Sequence, residues 1–381
     1  MANGYVAYVG SRSTAARKAS GIGITVWDAP PMAQWAPLQT IVADDGEGRP
    51  HEVPANPTYL LVSDDRRTLY VAYGDSRQVG WLDIDQDSGL LSPGGLIDIG
   101  HANPVDLLQI GSWLIVACLA VPGEIIVLPV GQDASLGAAV DSFTPEGILG
   151  PHAERQKGAN PHQTVLDPSG RWLLVCDRAH DTVWILDFDQ GTGKLRLHGQ
   201  FRTKRAEGPR HIAFHPDGQI AYVITELRSD IYVCRWDADT GRLSGIQVLP
   251  SYPDDALFDS CASEICASAD GRWVFASNRS GISDDFPPAT PEPDTIGVFA
   301  VQPDGTLRPD HWVSTQGHRP RFFVADPAEQ SILVANEISG TICSLPRSDN
   351  GLDEGTLVAT AASPTCIAWG QTAESRSGLI Q

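Results

Sequence analysis

The sequence predicts an all-β fold: a seven-bladed β-propeller with four antiparallel strands per blade, closed by strands from both termini in one blade. Three observations predict it. A unit of about 50 residues recurs along the 381-residue chain. Its apolar residues alternate, or run for four to seven positions between turn signals, as strands do and helices do not. The two ends of the chain hold the complementary fragments of one more unit.

Each unit opens with a small or polar cluster, then an apolar strand, a tight polar turn and a second apolar strand. Asn56–Tyr73 reads NPTYLLVSDDRRTLYVAY and Asn103–Leu119 reads NPVDLLQIGSWLIVACL. The next four are Pro161–Asp177, Pro209–Glu226, Ser263–Arg279 and Pro320–Glu337. Unit starts near 56, 103, 160, 208, 263 and 319 lie 47 to 57 residues apart. A third strand follows, as in Thr182–Asp189 or Asp230–Asp237, then a G-x-L turn and a fourth strand. Four short antiparallel strands at this period form a propeller blade. Ser363–Trp369 reads as a first strand without partners. Gly4–Val9, Gly21–Trp27 and Ala36–Val42 read as second, third and fourth strands without a first. Joined, they complete a seventh blade and remove the open edge. Residues 1–381 are therefore expected to form a single propeller domain.

Composition narrows the function. Lys+Arg 27 against Asp+Glu 47 gives a net charge of −20. A nucleic-acid binder neutralises phosphates, so this balance argues against nucleic acid and against anionic membrane as partners. A small anionic substrate stays open, because a pocket can be basic on an acidic body. No basic and apolar leader and no run of about 18 apolar residues is present, so a cytoplasmic location is expected. The seven cysteines lack a C-x-x-C pair and mostly sit inside strand-like runs, which reads as free buried thiols.

Strand order fixes which loops share a face. Fourth-to-first and second-to-third connections emerge together. On that face His162 opens one first strand, and Arg210 and His211 open the next. Glu226 and Arg279 end second strands of neighbouring units, and Arg319 and Arg321 flank another first strand. Several arginines, histidines and a carboxylate at one channel mouth are costly to bury without a task. His215 lies near an opposite-face turn and reads as structural, and Trp172, Trp184 and Trp273 read as core. No G-x-S-x-G is present, so a covalent serine mechanism is disfavoured.

The stretches PHQ (161–163), GPRHIAFHPDG (208–218), YVITEL (222–227), SADGRWVFASNR (268–279) and GHRPRFF (317–323) resemble the seven-bladed propeller lactonases. That family includes bacterial 6-phosphogluconolactonases and fungal carboxy-cis,cis-muconate cyclases. The resemblance implies a catalytic set of His162, Arg210, Glu226 and Arg279. Substrate contacts are expected from Arg155, Gln163, His211 and Arg321; Arg155 with Gln156 resembles an RQ pair that some members carry. Two departures stand out. A long insert, Ser280–Asp294, is expected as an exposed rim of the active face, and Thr225 stands where members commonly have asparagine.

The implied activity is hydrolysis of a small anionic sugar lactone, first 6-phosphogluconolactone. Glu226 or His162 would serve as general base and a guanidinium would stabilise the oxyanion. The scheme needs no cofactor and no metal. The alternatives are a carboxymuconate-type cycloisomerase and a non-catalytic propeller binding a protein partner.

Overall fold

A computed structural model describes residues 5–254, 256, 260–280 and 292–371. Residues 281–291, on which most of the expected insert falls, lie outside the described residues. The strands form seven antiparallel sheets around a central channel, a seven-bladed β-propeller. We number the blades 1 to 7 from the one beginning at Pro57 and letter the strands a to d outward. Strands a are Pro57–Val62, Pro104–Ile110, Pro161–Leu166, Pro209–Phe214, Ser260–Ala267, Pro320–Ala325 and Pro364–Gln371.

Blade 7 closes the ring as the sequence predicts. Pro364–Gln371 pairs with Tyr5–Ser11 in the register Ala7↔Trp369 and Val9↔Ile367. Gly23–Asp28 and Ala36–Val42 follow outward. The blade 5 a strand begins at Ser260, three residues before the expected Ser263. Blade 6 carries an extra pair, Gly351–Leu352, and blade 2 has a short outer strand, Asp141–Phe143. One 3₁₀ turn, Ala15–Arg17, is present, and no α-helix occurs among the described residues.

Burial follows the position in the blade. Strand b of blade 3, Trp172–Asp177, is buried at every position, whereas its d strand, Lys194–Arg202, alternates toward solvent. Each apolar cluster bridges two neighbouring blades. Cys176 and Ile185 of blade 3, for example, pack with Ile212, Val223 and Tyr232 of blade 4. Trp172, Trp184 and Trp273 lie in these clusters. No disulfide joins any of the seven cysteines, all of which lie among the described residues.

One irregularity recurs in every blade. The a–b ladder slips at the residue after the start of strand a, so that residue has no partner across the pair. In blade 3, Pro161 faces Asp177 and Gln163 faces Cys176, leaving His162 unpaired. The same slip leaves out Arg210 in blade 4, Arg321 in blade 6 and Thr365 in blade 7. Thr58 and Val105 are left out in blades 1 and 2. Blade 5 bulges by two residues, Ser263 and Glu264, against Ser277. A bulge re-aims the side chain it carries. Six of these residues line one small cavity of about 20 Å³ in the channel.

Candidate active site

Two tiers of side chains surround the channel mouth. The inner tier is the ring of bulge residues. The outer tier is the residue following the last a–b pair in six blades, namely Gly74, Leu119, Arg178, Glu226, Glu337 and Arg12 in blades 1 to 4, 6 and 7; in blade 5, where the ladder runs on to Ser260↔Ser280, the place is taken by Arg279, paired with Cys261. A cavity of about 170 Å³ opens between the tiers. Five guanidiniums line it, those of Arg12, Arg17, Arg178, Arg210 and Arg321, against two carboxylates, Asp75 and Glu226.

Glu226 is the electrostatic hub. Its Oε1 accepts from Arg178 Nη1 at 2.7 Å and lies 3.8 Å from Arg279 Nη2 and 3.9 Å from Arg155 Nη1. Its Oε2 lies 3.3 Å from Arg210 Nε, although that N–H is not aimed at a hydrogen-bond acceptor. Burial by itself would raise the carboxyl pKa. The four guanidiniums outweigh that and hold it well below the usual carboxylate range. Glu226 is therefore an anchor for arginines and a poor proton acceptor at neutral pH.

The histidines form a directed chain. His211 Nδ1 donates to Glu264 Oε1 at 2.7 Å. His211 Nε2 faces both Arg210 Nη1 at 3.0 Å and His162 Nδ1 at 3.2 Å. A guanidinium donates and never accepts. His211 Nε2 must therefore carry a lone pair, and the proton of His211 sits on Nδ1. By the same logic His162 Nδ1 carries its proton and donates to His211. That leaves the lone pair of His162 on Nε2, on a side chain that lines the cavity. Burial, reinforced by Arg210 and other neighbouring cations, pushes the His162 pKa well below its ordinary value. Burial and Arg210 also lower that of His211, against the opposing pull of Glu264. Arg210 is itself lowered to about 10 by burial and Arg279, and remains charged at neutral pH.

Of the residues expected from sequence, His162, Arg210, Glu226 and Arg279 meet at one mouth. Arg279 sits beneath the cavity and does not line it. It is 2% exposed and donates to the carbonyls of Cys261 and Ala262. His211 is likewise behind His162. Arg321 lines the cavity. Gln163 faces elsewhere, accepting from Ile212 N at 2.8 Å and so tying blade 3 to blade 4. Arg155 reaches Glu226 from the 144–160 connection. Gln156 fastens that connection to blade 3 through Arg178 O and Asp181 Oδ1. Thr225 is buried and donates to Glu207. His215 contacts Gly271 O and Asp217 at the opposite-face turns. The flanks of the insert are joined, with Ser280 N donating to Asp294 Oδ1 at 2.8 Å.

Several site residues were missed, among them Arg178, Glu264 and the cavity-lining Arg12, Arg17 and Asp75. Arg178 occupies the blade 3 position that Glu226 holds in blade 4; the repeat VCDR aligns with VITE and ASNR, which was a usable signal. Glu264 was hidden by the two-residue bulge, which no proline marks. Among the described residues, no group of three or more His, Cys, Asp or Glu side chains is placed to hold a metal ion. No described helix is long and apolar enough to cross a membrane.

Residues 47–369 match the family described as lactonase, 7-bladed β-propeller. A Bacillus subtilis 6-phosphogluconolactonase is 31% identical over 320 residues, 82% of this chain and 86% of that protein. An uncharacterized Lactococcus lactis protein is 31% identical over 297 residues, 77% of this chain and 82% of its own. Among solved structures, the Pseudomonas aeruginosa periplasmic gluconolactonase superposes with a TM-score of 0.82 at 26% identity. The match covers 97% of this chain and 99% of that one. A ring of bulged first strands, a guanidinium-rich mouth and these relatives converge on one statement: the chain belongs to the seven-bladed β-propeller lactonase family.

Proposed function

We propose that this lactonase hydrolyses a small phosphorylated sugar lactone, 6-phosphogluconolactone first among them, with His162 as general base. The observation that carries the reading is the cavity itself. Five guanidiniums against two carboxylates suit an anionic substrate, and a neutral imidazole faces the same space. The Bacillus subtilis relative bears the name of that activity.

The chemistry assigns each group a task. His162 Nε2 takes a proton from water as the oxygen attacks the lactone carbonyl. His211 and Glu264 stand behind it, so the positive charge that develops on His162 faces a carboxylate, the logic of an acid–base–orienter chain. Arg210 and Arg178, held by Glu226, stabilise the oxyanion, a contribution of roughly 3–4 kcal/mol in comparable sites. The carbonyl carbon–ring oxygen bond then breaks, and the ring oxygen takes the proton from His162. The product is an open-chain hydroxy acid, whose ionisation releases one proton to solvent. Arg279 and Arg155 act through Glu226 as positioning residues. We place the enzyme in the cytoplasm, since seven cysteines with no disulfide among them suit a reducing compartment.

A pH-indicator assay with freshly generated 6-phosphogluconolactone tests the reading, after subtraction of spontaneous opening. Saturable acid release well above background is expected. No acceleration of that lactone, together with turnover of a carboxymuconolactone, would move the enzyme to the cycloisomerase class.

A further inference from the structure

A second cavity, of about 240 Å³, adjoins the catalytic one and shares Arg12 and Arg17 with it. Arg12, Arg17, Lys18 and Arg319 line it, against a single carboxylate, Glu337. Three guanidiniums converge on that carboxylate. Arg12 Nη1 lies 2.8 Å from Oε1, Arg319 Nε 3.3 Å from Oε2 and Arg321 Nη1 3.9 Å from Oε2. Arg12 and Arg319 are both buried. Positive charge is therefore concentrated in partly desolvated walls, where an incoming anion is held more strongly than in water.

The backbone holds two of these cations in place. Lys18 has φ 52° and Arg319 φ 64°, a left-handed conformation that long L side chains rarely adopt. Both are fastened. Lys18 N donates to Ala15 O at 2.8 Å, ending the 3₁₀ turn. Arg319 N donates to Asp294 Oδ2 at 2.6 Å, and Arg319 O accepts from Glu337 N at 2.9 Å. Arg319 shares this conformation with Asn56, Asn103 and Ser363, each of which precedes the proline that opens an a strand, so the blade start itself fixes where its guanidinium begins. At the rim Arg17 is fork-paired to Asp75 of blade 1, its Nε 2.7 Å from Oδ2.

We propose that this cavity is the phosphate subsite of the enzyme. The lactone carbonyl lies at His162 and Arg210, and the distal phosphate reaches across the mouth to Arg12, Arg17, Lys18 and Arg319. The assignment rests on the sugar-lactonase reading above and adds what that reading lacks, the group that separates a phosphorylated from an unphosphorylated lactone. Arginine forks suit a phosphate dianion, and Lys18 adds a point charge at the exposed edge.

Lys18 is exposed and outside the strands, so its replacement spares the fold. Lys18→Glu and Lys18→Ala should be assayed with 6-phosphogluconolactone and with glucono-δ-lactone. The expected result is a fall in the phosphorylated-to-unphosphorylated kcat/KM ratio, about tenfold for Lys18→Glu and less for Lys18→Ala, carried by KM. Inorganic phosphate should inhibit the wild type competitively, with Ki raised in parallel in Lys18→Glu. An unchanged ratio and unchanged phosphate inhibition, in variants that still open both lactones, would overturn the subsite and leave the lactonase reading standing. A wild type inactive on both lactones would overturn the functional reading and the subsite with it.

Discussion

The two sides of the channel mouth share one backbone and differ in charge. In blades 3 to 7 the outer tier reads Arg178, Glu226, Arg279, Glu337, Arg12, an alternation of sign around five consecutive blades. In blades 1 and 2 the equivalent positions hold Gly74 and Leu119. The inner tier follows suit, with His162, Arg210 and Arg321 on the charged side and Thr58 and Val105 on the neutral side. The bulge that aims these residues is present in all seven blades. Its presence therefore does not mark function; the residue placed on it does. Gly74 is set by close packing, since a Cβ there would meet Thr58 Oγ1 at 2.7 Å. On the function proposed above, a substrate would meet charged contacts on one side and place its carbon skeleton on the other.

The largest effect should come from the charged side. Arg210→Ala should lower kcat by roughly a hundredfold, the scale of losing an oxyanion donor. Its thermal transition should stay near that of the parent, checked by calorimetry. A folded variant with parental kcat and raised KM would make Arg210 an anion clamp; an unfolded one would make it a structural tie between Glu226 and the carbonyl of Ser263, to which Arg210 Nη1 donates.

Charging the neutral side should matter less. Leu119→Asp places a carboxylate beside the cavity and should raise KM for an anionic lactone about tenfold, with kcat less affected. An unchanged KM would mean that substrate keeps away from blades 1 and 2, and that the contrast between the two sides carries no function.

The smallest effect concerns stability alone. Asp106, buried in blade 2, accepts from Thr164 N at 2.8 Å and Thr164 Oγ1 at 3.0 Å. Burial pushes its pKa up to about 6. A raised folded-state value means that stability is lost as pH rises from the unfolded value near 4 through 6. Asp106→Asn escapes that loss but accepts weaker hydrogen bonds, so a net gain of about 1 kcal/mol is expected at pH 8. Denaturant melts should show the gain shrinking below pH 6 and vanishing near pH 4. A loss of stability at pH 8 would show the carboxylate bonds to outweigh its burial.

Much of this was legible in the sequence because a propeller repeats its geometry. The proline opening each a strand in blades 3, 4 and 6 is followed at once by His162, Arg210 and Arg321, so a repeat alignment alone puts them in one ring. Glu226 and Arg279 follow from the same alignment at the end of strand b. Glu264 was not legible, because blade 5 opens at Ser260 without a proline and accommodates two residues where the other blades accommodate one. The choice between Glu226 and His162 as base was not legible either. It depends on how many guanidiniums reach Glu226 and on the direction of the Glu264–His211–His162 chain. Gln163 shows the converse, since adjacency to His162 in sequence puts its amide on a neighbouring blade.

The most direct test of His162 as a base held neutral is the pH dependence of kcat at saturating lactone. Saturation matters because the substrate phosphate itself titrates near pH 6. His162 must be unprotonated to act, and its pKa lies well below its ordinary value. Lowering the pH from 8 through 6.5 should therefore leave kcat flat, with the acid limb only at clearly lower pH. A limb centred at 6.5 or above, or a rate that climbs tenfold per pH unit with hydroxide, would contradict the assignment of His162 as the base.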